Sequence, residues 1–227
     1  MVNMQIASEN RWPALLALFT LALLYQALPT VFYWGPRGLM IGFVAVLTIP
    51  MIITHYHENH RTHRVLALSV NVWITLYIII SVARLVIAEL EGQIGPKHLL
   101  LSSVVLWVAN ILLFALWYWN LDAGGPTKRA SKEQSGLTAF MFPQTQISLV
   151  QDKNLPSSIS QWMPNFIDYL FLAFNTSTAF SPTDTPVLSR WAKCMSMIQA
   201  LISLTIVLML AARAVNILSP DVNYFVS

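Results

Sequence analysis

Residues 65–88 form an unbroken apolar run with one charged side chain, Arg84, and Ile78-Ile79-Ile80 near its middle. A spanning helix needs about 20 mostly apolar residues, because hydrocarbon offers its backbone N–H and C=O groups no water. This run meets that demand, and the chain repeats the pattern. Further segments lie at 12–32, 39–54 (short, with Pro50), 99–119 and 192–218. Across 227 residues 56% are hydrophobic and 10% charged, more apolar surface than a soluble fold of this size can bury. The fold expected is an all-α integral membrane protein with about five transmembrane helices, multi-pass in a cellular membrane. The run at 12–32 has no small-residue cleavage pattern after it and reads as a retained helix.

Punctuation between the runs supports these limits. Gly35-Pro36-Arg37-Gly38 turns the chain after the first, and Gly92 to Pro96 breaks it after the third. The aromatic groups Tyr33-Trp34 and Trp117-Tyr118-Trp119 suit the headgroup level. Residues 122–163 are polar, with Lys128, Arg129, Lys132, Asp152 and Lys153, and form an unusually long connection outside the hydrocarbon. The division expected is N-terminal transmembrane helices at 1–98, then a second unit at 99–227.

The net charge is +3, but the basic residues sit singly or in short groups between apolar runs, as loops of a membrane protein and not as a nucleic-acid surface. Cys194 is the lone cysteine, which excludes an intrachain disulfide framework and a Cys-rich metal site. No nucleophile with a partnered base, phosphate-cradling loop or pair of buried carboxylates stands out, so the chain reads as no enzyme and calls for no cofactor.

Residues 164–187 depart from the pattern. The apolar stretch 169–174 is too short to span, and it is flanked by Asp168 and by Asn175-Thr176-Ser177-Thr178. A short re-entrant helix followed by an extended loop fits, because non-helical backbone at membrane depth survives only beside protein or a wet cavity. Here the sequence resembles the pore module of the potassium-channel superfamily: pore helix, filter loop, inner helix. Aligned without gaps, Phe174 falls on the pore-helix aromatic, Thr176 and Thr178 on family threonines, and Asp184 on the filter aspartate. Ala192-Lys193 takes the place of the Gly-Arg pair, and Gln199-Ala200-Leu201-Ile202 continues the similarity.

The resemblance covers roughly the last quarter of the chain, and Ser181, Pro182 and Thr183 stand where the family has Gly, Tyr and Gly. Glycines tolerate the positive φ that a carbonyl-lined filter uses, whereas Ser181 and Thr183 are sterically hindered there and Pro182 fixes its own φ. The expectation is a pore without potassium-type selectivity, conducting small cations past Thr176, Ser177, Thr178, Ala179, Phe180, Ser181, Pro182, Thr183 and Asp184. One loop per chain requires a homo-oligomer, and the resemblance implies a tetramer. The alternative is a structural cap, in which Ser181-Pro182 turns the chain and Asp184 or Thr183 caps the next helix. The whole protein is then a scaffold or partner-binding protein.

Two further patterns bear on function. His55, His57, His60 and His63 surround Glu58 at spacings suited to binding Zn²⁺ or sensing pH, or to a plain interfacial loop; a metal-responsive transporter or membrane enzyme is the corresponding alternative. Lys128, Arg129, Lys132 and Lys153, with Arg61 and Arg64, place the long connection on the cytoplasmic side, whereas the channel resemblance places it outside. Arg84 and Arg213 lie toward the ends of apolar helices, where snorkelling or pairing with Asp168, Glu89 or Glu91 accounts for them. Asn71, Asn110 and Asn216 suit interhelical hydrogen bonds.

Overall fold

A computed structural model describes residues 12–33, 35–36, 38–39, 41–46, 60–92, 94–130, 138–149, 162–178 and 184–218. Its helices are α1 (Trp12–Gln26), α2 (His60–Glu91), α3 (Pro96–Leu121), α4 (Pro126–Ala130), α5 (Pro143–Leu149), α6 (Phe166–Thr178) and α7 (Arg190–Leu218), and residues 41–46 are also helical. Among the described residues three segments are long and apolar enough to cross a membrane: Arg64–Glu91, Pro96–Gly124 and Arg190–Val215. Among the described residues the β-structure is one antiparallel bridge, Phe140 with Val187.

Local chemistry sets the limits of these helices. Gly92 at φ +63 closes α2 in the left-handed conformation that favours glycine. Pro96 opens α3 at a position where its missing N–H costs nothing. The Ser189 hydroxyl accepts the Ala192 N–H at 3.3 Å at the start of α7. The helix expected over 12–32 stops earlier, at Gln26, because Pro29 biases Leu28 away from helical backbone; a 3₁₀ turn, Thr30–Phe32, follows. The helical part of 39–54 that is described is 39 and 41–46; the rest lies outside the described residues.

Alpha-helix α3 is the centre of the assembly. It packs on α1, α2, α6 and α7, and 61% of its most apolar window is buried, against 44% for α2 and 17% for α7. Trp117-Tyr118-Trp119 therefore packs into the protein: Tyr118 and Trp119 are buried, and Trp117 Nε1 donates to Thr75 Oγ1 at 2.9 Å. Tyr33 is likewise buried, edge-on to Tyr25 with ring centroids 5.1 Å apart.

The turn after α1 is finished by side chains. Arg84 of α2 donates from Nη1 to the carbonyls of Val31 and Tyr33, and Ser81 and Tyr25 donate to Phe32 O at 3.3 and 3.4 Å. Tyr33 OH donates to Gln26 O at 2.9 Å. Away from water such carbonyls need partners, and this is the work Arg84 does. Arg213 of α7 pairs with Glu89 of α2, as the sequence allowed.

Candidate functional site

Alpha-helix α6 starts in a reciprocal cap. Asn165 Oδ1 accepts the Ile167 N–H at 2.8 Å, and Asp168 Oδ2 accepts the Asn165 N–H at 2.7 Å. Burial pushes the Asp168 carboxyl up from its ordinary value, against the opposing pull of that backbone hydrogen bond.

Just inside this cap lies a buried polar clamp that the sequence did not reveal. Asp122, fully buried at the end of α3, accepts the Ala139 N–H at 2.6 Å on Oδ1 and the Tyr169 hydroxyl at 2.7 Å on Oδ2. Arg129, 2% exposed on α4, donates Nη1 to the carbonyls of Trp119 and Asp122, each at 2.8 Å. Its guanidinium carbon stands 5.0 Å from the Tyr169 ring centroid, within cation–π range. The connection expected to be a polar loop thus carries two charged groups into the protein.

Aromatic rings close over the clamp. Phe140 meets Tyr118, Tyr169 and Trp191 at 5.0, 6.2 and 6.0 Å, and Phe142 meets Tyr169 and Trp162 at 5.4 and 5.6 Å. Main-chain bonds from Leu188 N to Ala139 O (2.8 Å) and from Met141 N to Pro186 O (3.0 Å) join this segment to the start of α7. The alternating Phe140 and Phe142 within a polar stretch were the available sign of a buried segment.

The other end of α6 is held by α7. Gln199, fully buried, donates Nε2 to Ala173 O (2.7 Å) and Ser177 Oγ (2.8 Å), while its Oε1 accepts the Tyr118 hydroxyl at 2.6 Å. Ser203 Oγ donates to Ser177 O at 2.6 Å and accepts Trp107 Nε1 at 3.1 Å. Asn110 Nδ2 reaches Gln199 O at 3.4 Å, an interhelical bond of the kind expected.

These contacts place the helices in depth. Trp107 and Ser203 share a level, and Ile78 lines one small apolar gap with Val105, Leu106 and Ala109. That level lies near the middle of all three long helices. Alpha-helix α6 runs from Trp119, whose ring is 6.0 Å from that of Phe166, to Ser203. At 1.5 Å per residue its described length carries it about 17 Å, to the mid-level. By Val187 the chain is back beside Phe140, at the end from which α6 set out.

The residues expected to line a pore are distributed as follows. Ser177 is buried against α7. Thr176 and Thr178 are half-buried, their hydroxyls donating within α6 to Leu172 O (2.9 Å) and Asn175 O (3.0 Å). Asp184 is exposed. Ala179, Phe180, Ser181, Pro182 and Thr183 lie outside the described residues, as do His55 and His57; His60 and His63 belong to the first turn of α2. Among the described residues no three His, Cys, Asp or Glu side chains are grouped to hold a metal ion.

These features define a class: an all-helical protein with, among its described residues, three helices fit to cross a membrane and a shorter helix packed among them. No family model, curated protein or solved structure matches the chain.

Proposed function

We propose that this chain is a channel-like membrane protein that oligomerises around the end of α6 and the loop leading to Asp184, passing small cations down their gradient. The observation that carries the reading is the reach of α6: its last described turn is level with Trp107 and Ser203, and by Val187 the chain is again at the end where α6 begins. In a bilayer this is a re-entrant helix, accompanied by about five crossings that include 12–32 and 39–54. The carboxyl end of a helix carries partial negative charge, which favours a cation beyond it. Thr176 and Thr178 keep oxygen lone pairs for an ion although their protons are engaged. The slight cover on α7 leaves surface for neighbouring subunits, and the resemblance to the potassium-channel pore implies four.

A second reading draws on Ser177. Its hydroxyl and carbonyl are both taken up by α7, which suits a scaffold in which α6 is a packing element.

An experimental structure of the lipid-embedded assembly tests the proposal through subunit number and the distance of residues 176–184 from the symmetry axis. Loops converging on a wet axis support a pore, and loops facing lipid exclude an axial one. In proteoliposomes Asp184→Asn should lower cation flux or change selectivity; unchanged flux and selectivity would remove Asp184 from the mechanism.

A further inference from the structure

We propose that the end of the bundle from which α6 enters is a contact surface for anionic phospholipid headgroups, built by Arg64 of α2 with Arg190 and Lys193 of α7, and that it lies on the cytoplasmic leaflet. The inference is independent of conduction. Counting from the shared level of Ile78, Trp107 and Ser203 at 1.5 Å per residue, Arg64, Arg190 and Lys193 fall about 21, 20 and 15 Å away, all toward the same end. A hydrocarbon core of about 30 Å within a bilayer of about 40–45 Å puts headgroups at about 15–22 Å from the centre. Three cations from two helices therefore sit at headgroup depth, and all three side chains are exposed. Lys128, exposed on α4, lies at the same end.

Among the described residues the acids at this end offset the cations only in part: Asp122 is buried in the clamp and Asp168 is engaged in its cap, which leaves exposed Asp184 against four exposed cations. The opposite end differs in kind. There Arg213 is paired with Glu89, Arg84 is bound to carbonyls, and exposed Lys97 is offset by exposed Glu91. Lys and Arg near the ends of spanning helices set orientation toward the cytoplasm, where anionic lipids attract basic side chains. This orientation opens α6 toward the cytoplasm, the reverse of what the channel resemblance implies.

The test uses the full chain in vesicles of phosphatidylcholine and phosphatidylglycerol at 3:1, with retained lipid counted by native mass spectrometry. Phosphatidylglycerol should be retained in excess of its share. The triple variant Arg64→Gln, Arg190→Gln, Lys193→Gln should lower that preference about tenfold or more, Arg190→Gln alone should lower it measurably if the triple variant fails to fold, and Lys97→Gln should leave it unchanged. Retention in proportion to the mixture, or an equal loss with Lys97→Gln, overturns the surface. For the leaflet, Met163→Cys and Glu91→Cys are each placed in a Cys194→Ser background and treated with a membrane-impermeant maleimide in intact cells. Labelling at 91, and at 163 only after permeabilisation, is expected; the opposite pattern overturns the assignment.

Discussion

The Tyr169 hydroxyl donates to Asp122 Oδ2 at 2.7 Å across 47 positions of sequence, tying the first turn of α6 to the end of α3. Tyr169→Phe keeps the ring beneath Arg129 and removes only the donor. It should cost about 1.5–3 kcal/mol, the range for a hydrogen bond to a charged group. Thermal denaturation in lipid nanodiscs measures it, and a melting temperature equal to that of the parent would mean the bond contributes nothing net.

Gln199→Leu deletes two bonds donated to α6 and one accepted from Tyr118. Interhelical bonds in membranes average about 0.6 kcal/mol each, with a maximum near ~1.7, so a total of about 2 kcal/mol is expected. Hydrogen exchange at the amides of residues 173–178 should accelerate while exchange in α2 stays constant. Equal acceleration in both would point to global unfolding.

Arg213→Gln and Glu89→Gln should each destabilise, and the double variant should recover part of the loss, because leaving one charge behind is worse than removing both. Breaking a fully buried pair costs about 3–5 kcal/mol. The two side chains retain 15% and 17% exposure, so the single variants should fall below that range. A double-mutant cycle checks this, and zero coupling energy would contradict the pairing.

Gly125 has φ +93, and an added Cβ would lie 2.9 Å from Asn120 O. Its N–H donates to Asp122 O at 2.8 Å, the same carbonyl that Arg129 uses. Gly125→Ala should therefore cost about 1–3 kcal/mol, read by chemical denaturation. Gly95→Ala, at an open site with negative φ, is the matching control.

The Asp168 carboxyl is raised in the folded chain by burial, so the native state holds its proton to higher pH than the unfolded chain does. The sign follows: this contribution is fully present below the ordinary carboxylate value and is lost as pH rises through the folded value. Asp168→Asn should flatten stability against pH across that window. A parent profile that instead rises with pH, with the rise lost in the variant, would reverse the sign.

The long helices were legible because an apolar run with few charges admits few other folds; α2 and α7 extend only a few residues beyond the expected 65–88 and 192–218. The short helix was legible from the apolar stretch 169–174, but α6 also takes in the flanking Asp168 and the run Asn175-Thr176-Ser177-Thr178, and its Asn165 and Asp168 cap was not read from the sequence. The burial of Tyr33, Tyr118 and Trp119 was not legible, for a physical reason. Lipid-facing and core-facing positions are both apolar, so the contrast that separates them in a soluble helix is absent. The Asp122, Arg129 and Tyr169 clamp was beyond reach because its members meet only after α3, α4 and α6 are in place.

The turn after α1 cannot be completed by α1 alone. Its carbonyls at Val31 and Tyr33 wait for Arg84, and Phe32 O, already reached by Tyr25 of α1, gains Ser81; these partners lie 49 to 53 positions later in the chain. Hydrocarbon would leave those carbonyls without partners until α2 lies beside them, so the first hydrophobic segment is expected to enter a bilayer together with α2 and not before it. A nascent chain arrested before Ser81 should remain extractable by alkaline carbonate, whereas one extended past Glu91 should resist it.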